Sequence, residues 1–213
     1  MKSCNKKKVL LALSGGVDSS VAAALLLRQG YEVLGAFMKN WSGDQDEDPC
    51  WIEDRRAALG VAAHLGIPFV TLDFEREYRV QVVEYLYREY AAGRTPNPDV
   101  LCNTEVKFPL LWREAKMLGA EFIATGHYAR IAKRGGRFHF LAGVDKEKDQ
   151  SYFLHGLTQK DLSHTLFPVG GMKKTEVRKL ARKLGLPTAG RRSTRGICFI
   201  GKINFKEFLK RYI

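Results

Sequence analysis

Two kinds of reactive equipment are present in the chain: a glycine- and serine-rich turn able to seat an anion, and two cysteines in loop-like stretches. The turn is Ser14-Gly15-Gly16-Val17-Asp18-Ser19-Ser20. Glycine lets a backbone bend sharply and approach a ligand closely, and the first amides of a following helix have no partners within it. Such a turn therefore offers N–H groups and the positive end of a helix dipole to a phosphate. Ser14, Ser19 and Ser20 add hydroxyl donors. A Walker loop ends in Gly-Lys-Ser/Thr and a dinucleotide turn reads Gly-x-Gly-x-x-Gly; neither is present. The competing reading is an ordinary Gly-Gly turn capped by serine. Of the cysteines Cys4, Cys50, Cys102 and Cys198, none forms a Cys-x-x-Cys pair. That argues against a zinc knuckle or a secreted disulfide framework and for reduced thiols in the cytoplasm. Cys102 follows Gly93-Arg94-Thr95-Pro96-Asn97-Pro98-Asp99-Val100-Leu101, and Cys198 stands in Gly196-Ile197-Cys198-Phe199-Ile200-Gly201. Both stretches read as loop-like, which suits reactive thiols; the alternative for each is a small buried apolar residue.

The elements that must position these groups alternate in type. Val9 to Leu13 reads as a strand and Ser20 to Leu27 as a helix. Tyr31 to Met38 is a second strand, Ile52 to Leu65 an amphipathic helix, and Pro68 to Leu72 a third strand. Between them, residues 39 to 50 form an acidic loop. A helix is expected from Glu75 to Ala92 and, after the two-proline loop, another whose effective start is Phe108, because Pro109 is tolerated only near a first turn. Glu121 to Gly126 is a strand running into Gly126-His127-Tyr128. Phe138 to Leu141 and Ser151 to Leu154 read as the two arms of a hairpin. The alternation predicts an α/β domain, a Rossmann-like parallel sheet with helices on both faces and its ligand at the carboxyl ends of the strands. The expected division is a nucleotide domain at 1–165 and a small, partial, basic second domain at 166–213, with helices at Lys174 to Leu184 and Phe205 to Tyr212.

The charge is uneven. The chain carries a net charge of +12 over 213 residues, and the last 43 hold 13 Lys/Arg against 2 Asp/Glu, while the rest is nearly balanced. A concentrated positive field of this kind fits a polyanion such as nucleic acid, its plainer reading being a solvated basic face. No apolar run approaches the roughly 20 residues of a membrane span, and the five apolar residues after Lys6, Lys7 and Lys8 are too few for a secretory leader.

Several motifs together resemble a known family. Ser14 to Ser19 is similar to the PP-loop of the ATP pyrophosphatases. With Phe37-Met38-Lys39-Asn40-Trp41, Gly93 to Asn103, Ala124 to Tyr128, Lys148-Asp149-Gln150-Ser151-Tyr152-Phe153 and Gly196 to Gly201, the chain resembles the tRNA-specific 2-thiouridylases along essentially its whole length. The resemblance implies replacement of O2 by sulfur at the wobble uridine of tRNAs for Lys, Glu and Gln. ATP would adenylate that oxygen, with Mg2+ neutralising the phosphates and Asp18 a candidate to orient the metal or the loop. Ala12, Leu13, Ser14, Gly15, Gly16, Val17, Asp18, Ser19, Met38 and Gly126 would contact the nucleotide. Cys198 would carry a persulfide loaded by an outside sulfur-donor protein, and Cys102 would release or resolve it as a Cys102–Cys198 disulfide, with Arg191, Arg192 and Arg195 favouring the thiolate. Asn97, Pro98 and Asp99 would meet the target base; His127, Lys148, Asp149 and Gln150 would contact tRNA. His64, His139, His155 and His164 are expected to be structural. An iron–sulfur cluster on Cys102, Cys198 and Asp99 has fewer cysteines than the usual four and is not favoured.

The sequence departs from the family pattern in Ser193-Thr194-Arg195, where Asp-Ser-Thr is usual. Family chains also continue, past the point matching Ile213, into the rest of a central domain and a β-barrel that would help grip tRNA. Two other functions remain open at this level: a PP-loop ligase adenylating a small carbonyl substrate, and a nucleotide- or RNA-binding remnant without catalysis.

Overall fold

Val9, Leu10 and Leu11 are all fully buried, which requires cover on both sides of the strand that carries them. The computed structural model, which describes residues 6–42, 51–191 and 210, places that strand, β1 (Lys8–Ala12), at the centre of a five-stranded parallel sheet. The strand order is β3 (Phe69–Asp73), β2 (Glu32–Lys39), β1, β4 (Phe122–Ala124), β7 (Thr165–Leu166). In register, Val9 lies opposite Val33 on one side and Phe122 on the other. Alternate side chains serve opposite faces, as strand geometry demands. Val9 and Leu11 join a core with α1 (Val17–Arg28), α2 (Trp51–Leu65) and α8 (Lys174–Lys183). Leu10 joins Phe108, Leu111 and Ala115 of α6 (Phe108–Met117). Each such leucine stabilises the fold by about 1.5–3 kcal/mol through burial.

The chain builds β1, β2 and β3 outward in one direction and then returns to lay β4 on the other flank of β1. That reversal opens a crevice at the carboxyl ends of β1 and β4, where α/β sheets bind ligands. The alternation expected from sequence is thus present, with three differences in the connecting elements.

The first difference is the stretch before and around Cys102. In place of a loop there is α5 (Pro98–Leu101), then a π-helical turn (Cys102–Lys107) running straight into α6. Asn97 caps α5 by accepting from the amides of Asp99 and Val100 at 3.1 and 3.3 Å, and Pro98 fills the first helical position, where its missing N–H costs nothing. The wide turn ends just before Pro109, whose ring a regular helix interior would reject. A second π-turn (Arg79–Val83) interrupts the helix expected from Glu75 to Ala92, between α3 (Glu75–Tyr78) and α4 (Glu84–Ala91).

The second difference is the hairpin. β6 (Arg137–Ala142) pairs with β5 (Ala129–Arg134) across Gly135-Gly136, both at positive φ as a tight two-residue turn requires. Ser151 to Leu154 is instead a 3-10 turn, initiated by the Asp149 carboxylate, which accepts from the Ser151 amide and hydroxyl.

The third concerns the division at 165/166, which falls inside β7. Beyond it, after α7 (Gln159–Ser163), residues Val169, Val177, Ala181 and Leu186 enter the same core as α1 and β1. Cys4, Cys50, the acidic residues at 44–48, Arg192, Arg195, the Cys198 segment and, apart from Lys210, the last helix lie outside the described residues.

Candidate active site

The turn between β1 and α1 is built to present amides. Gly16 takes the N-cap position in an extended conformation, and no side chain caps the helix. The first-turn N–H groups of a twelve-residue helix are therefore left for a ligand. Gly15 adopts φ +76°, a left-handed conformation costly for other residues, and a Cβ there would stand 2.3 Å from the Asp54 carbonyl oxygen. Ser14 is exposed, and its hydroxyl lies 3.2 Å from Ser19 Oγ and accepts a long 3.4 Å contact from the Gly16 amide. Ser19 and Ser20 correct the expectation of three anion donors: both are buried and donate to the Gly16 carbonyl, at 3.1 and 2.7 Å. They brace the turn.

Asp18 is also differently employed. Its carboxylate accepts a hydrogen bond from Lys174 Nζ at 2.6 Å and one from the Tyr128 hydroxyl at 2.8 Å. Burial first, and then the Asp18 charge, push the Tyr128 phenol far above its ordinary range, so it stays protonated and donates. Among the described residues no cluster of three His, Cys, Asp or Glu could hold a metal ion. Asp18 as it stands is committed to an ammonium, which does not fit a magnesium ligand. The arrangement brings to the loop, from α8, the lysine that the loop itself lacks.

Beside the loop, a cleft of about 170 Å³ is lined by Ala12, Leu13, Ser14, Met38, Asn40, Trp41, Trp51, Asp54 and Lys107. A cavity of roughly 150 Å³ takes benzene, so this one holds a ring system while longer groups extend toward the turn. Asn40 Oδ1 and Trp51 Nε1 are buried with no hydrogen-bond partner among the described residues. A buried acceptor and a buried donor left open in one cleft suit a heterocycle with both, such as adenine. Lys39 fixes the Trp51 ring from 5.3 Å while pairing with Glu75 at 2.8 Å. Of the expected nucleotide contacts, Ala12, Leu13, Ser14 and Met38 line the cleft; Gly15, Gly16, Val17, Asp18 and Ser19 form the turn. Gly126 has a different reason to be glycine. Its Cβ would lie 2.6 Å from the Ser19 amide, so it lets the end of β4 close on the first turn of α1.

Trp41 and Lys107 of the cleft wall lead to the helix with the expected base contacts and the first cysteine. Asn97 and Pro98 serve as its cap and first residue. Asp99 is half-buried, and burial raises its carboxyl above the usual value while Lys107 opposes the shift. Cys102 follows three residues later, one turn on, but it is 4% exposed and packs with Trp41, Phe74, Tyr78 and Val106, not on a loop. Trp41 thus belongs both to the cleft wall and to the cluster around the thiol. Lys107 spans the same two regions, lining the cleft and donating to Asn103 Oδ1 at 2.9 Å, while Asn103 reaches the Phe153 carbonyl at 3.1 Å.

The expected tRNA contacts are largely absorbed by the fold. His127 stacks on Phe108 at 6.0 Å, its Nδ1 lies 2.7 Å from Thr125 Oγ1, and burial holds its imidazole well below the usual value. It is a neutral structural ring near pH 7. Asp149 accepts from the Gly143 amide at 2.7 Å, and Gln150 from the Tyr128 amide at 3.1 Å. Lys148 is exposed. His164, stacked on Trp112 at 3.8 Å, fits its structural assignment. Lys107, Lys174, Asp54 and Trp51 carry no signal in the sequence; each lies on a helix whose neighbours read as ordinary amphipathic surface, and only the fold brings Lys107, Asp54 and Trp51 to the cleft and Lys174 to Asp18.

A family model described as tRNA methyl transferase HUP domain matches residues 7–202. The tRNA-specific 2-thiouridylase MnmA of Stenotrophomonas maltophilia is 54% identical over 97% of this chain and 54% of its own length. The protein of the same name from Ralstonia nicotianae is 52% identical, over 97% of this chain and 56% of its own. The chain therefore spans about half the length of the curated relatives it matches. Among solved structures, the U34-tRNA thiolase NcsA of Methanococcus maripaludis with its [4Fe-4S] cluster aligns at a TM-score of 0.58 and 19% identity, covering 97% of this chain and 65% of that one. A 4-thiouridine synthetase in complex with RNA and ATP aligns at 0.58 and 15% identity, covering 97% and 50%. At these identities the two structures share the fold.

Proposed function

Since the chain belongs to the tRNA methyl transferase HUP domain family, we propose that it carries the nucleotide-binding half of a tRNA uridine 2-sulfurtransferase, in keeping with the names of its relatives. The observation that carries this reading is a cleft beside an uncapped helix N-terminus, with an unpartnered acceptor on Asn40 and an unpartnered donor on Trp51 among its lining residues, and with Trp41 of its wall packed in the same cluster as Cys102. ATP places its base between Trp51 and Asn40 and its phosphates against the Ser14–Ser19 turn. Magnesium arriving with the nucleotide would supply charge neutralisation, without Asp18 as a ligand; the loop amides orient the chain of phosphates, and Lys174, paired with Asp18, adds positive charge behind the turn.

The uracil O2 is a poor leaving group and is activated by attack on the α-phosphate, which releases pyrophosphate and leaves an adenylated base. Orientation and amide donors lower that barrier. Asp99, whose half-buried carboxyl sits one turn before Cys102, faces the flipped base and holds or takes up a proton as the ring changes charge. Cys198, outside the described residues, brings a persulfide loaded by a donor protein. Its terminal sulfur bonds to C2, AMP departs, and the Cys102 thiolate then takes the Cys198 sulfur, freeing 2-thiouridine and leaving a Cys102–Cys198 disulfide. Cys102 must leave its apolar packing to do so. The proposed setting is the cytoplasm, with tRNAs for Lys, Glu and Gln as substrates.

The test is incubation with ATP, Mg2+, a persulfide donor and unmodified tRNA, followed by mass spectrometry of the digested nucleosides. 2-Thiouridine, lost in Cys198→Ser while tRNA-dependent pyrophosphate release and adenylation continue, supports the reading. Pyrophosphate release that ignores tRNA points to a small-molecule ligase, and nucleotide binding without turnover to a binding module.

A further inference from the structure

The nucleotide turn is held from behind by a residue that the sequence placed with the sulfur carrier. Arg191 Nη1 donates to the Gly15 carbonyl at 2.8 Å, and its Nη2 donates to Asp54 Oδ1 at 2.8 Å. A peptide group is planar and trans, so fixing the Gly15 carbonyl on one side aims the Gly16 N–H to the other. That amide has only a long 3.4 Å contact to the exposed Ser14 hydroxyl. Gly15 itself gives no conformational restraint, since glycine enters and leaves the left-handed region freely. Restraint has to come from outside, and the guanidinium fork supplies it in two directions at once. Arg191 is in turn anchored: its amide donates to the Thr188 carbonyl at 3.0 Å, and the Thr188 hydroxyl donates at 2.8 Å to Ser20, which braces Gly16.

We propose that Arg191 is a positioning residue of the phosphate seat, holding the Gly15 peptide so that the Gly16 amide meets the anion. The proposal rests on the reading of the Ser14–Ser19 turn as that seat. The segment after α8 thereby becomes part of the nucleotide site, and phosphate affinity depends on its docking.

The experiment uses the full chain and measures dissociation constants for ATP, inorganic pyrophosphate and adenosine, with melting temperature as the control for folding. Arg191→Ala weakens pyrophosphate and ATP about ten- to hundredfold, the range for loss of a charged hydrogen bond, and leaves adenosine within about twofold. Arg191→Lys recovers only part, because one ammonium lacks the rigid fork that reaches both Gly15 and Asp54. Equal pyrophosphate affinity in parent and Arg191→Ala overturns the proposal, as does a parallel loss of pyrophosphate and adenosine. A parent that binds neither ATP nor pyrophosphate refutes the phosphate-seat reading as well.

Discussion

Replacing Gly126 with alanine tests how the end of β4 is fitted to the nucleotide helix. The added Cβ would lie 2.6 Å from the Ser19 amide nitrogen, 2.9 Å from the Asp18 carbonyl carbon and 3.0 Å from the Ser19 Cα, against 3.4 Å or more for ordinary contact. All three obstacles are backbone atoms, so no rotamer change relieves them, and β4 or α1 must move by about 0.8 Å. Overpacking of this kind costs about 1–3 kcal/mol. At roughly 2–4 °C per kcal/mol for a chain of this size, Gly126→Ala melts several degrees below the parent. ATP affinity falls with it, since the first turn of α1 carries the loop amides. Gly60→Ala is the opposite control: it lies inside α2 with nothing within 4 Å of its Cβ, so helix propensity alone raises stability by about 1 kcal/mol. The assay is thermal unfolding by circular dichroism with an ATP titration on each variant. A Gly126→Ala protein with parental melting temperature and parental ATP affinity refutes the reasoning.

Trp51→Phe removes the open indole donor while keeping the ring, and should weaken ATP several-fold while leaving pyrophosphate unchanged in a binding titration. His127 and His164 have imidazoles held below the ordinary 6.5, chiefly by burial. Their contribution to stability is complete above that value and is lost as pH falls below it, because the unfolded chain takes up protons that the folded chain refuses, up to about one each. Denaturant titrations from pH 7.5 to 5 should show this fall, and His127→Gln should make it shallower. Asp99→Asn removes a carboxylate whose charge burial disfavours, so it should raise or preserve the melting temperature at pH 7 while abolishing uridine thiolation. A drop in melting temperature would place Asp99 in the fold instead of the chemistry.

The sheet was legible because its strands are short, β-rich apolar runs separated by helices that Gly30 and Gly66 close. The family was legible because several motifs recur together, and relatives at 52–54% identity bear that resemblance out. Local chemistry misled where a tertiary partner decided the outcome. Two prolines around Asn97 suggested a loop, yet Asn97 and Pro98 are the cap and first residue of a helix. Ser151 to Leu154 has the composition of a strand, but Asp149 turns it into a helical turn. Contacts between residues far apart in sequence left no local pattern at all: Gly126 meets Ser19 only when β4 lies beside β1, and Lys174 meets Asp18, and Arg191 Gly15, only when α8 and the segment after it pack against α1.

Competition between ATP and pyrophosphate, followed through the fluorescence difference between the parent and Trp51→Phe, tests most directly that one cleft seats base and phosphates together. The account predicts a saturable ATP signal in the parent that is smaller in the variant, where Trp41 alone remains in the cleft wall, and that is displaced by pyrophosphate. An ATP signal that pyrophosphate leaves untouched, or no signal at all, would contradict it.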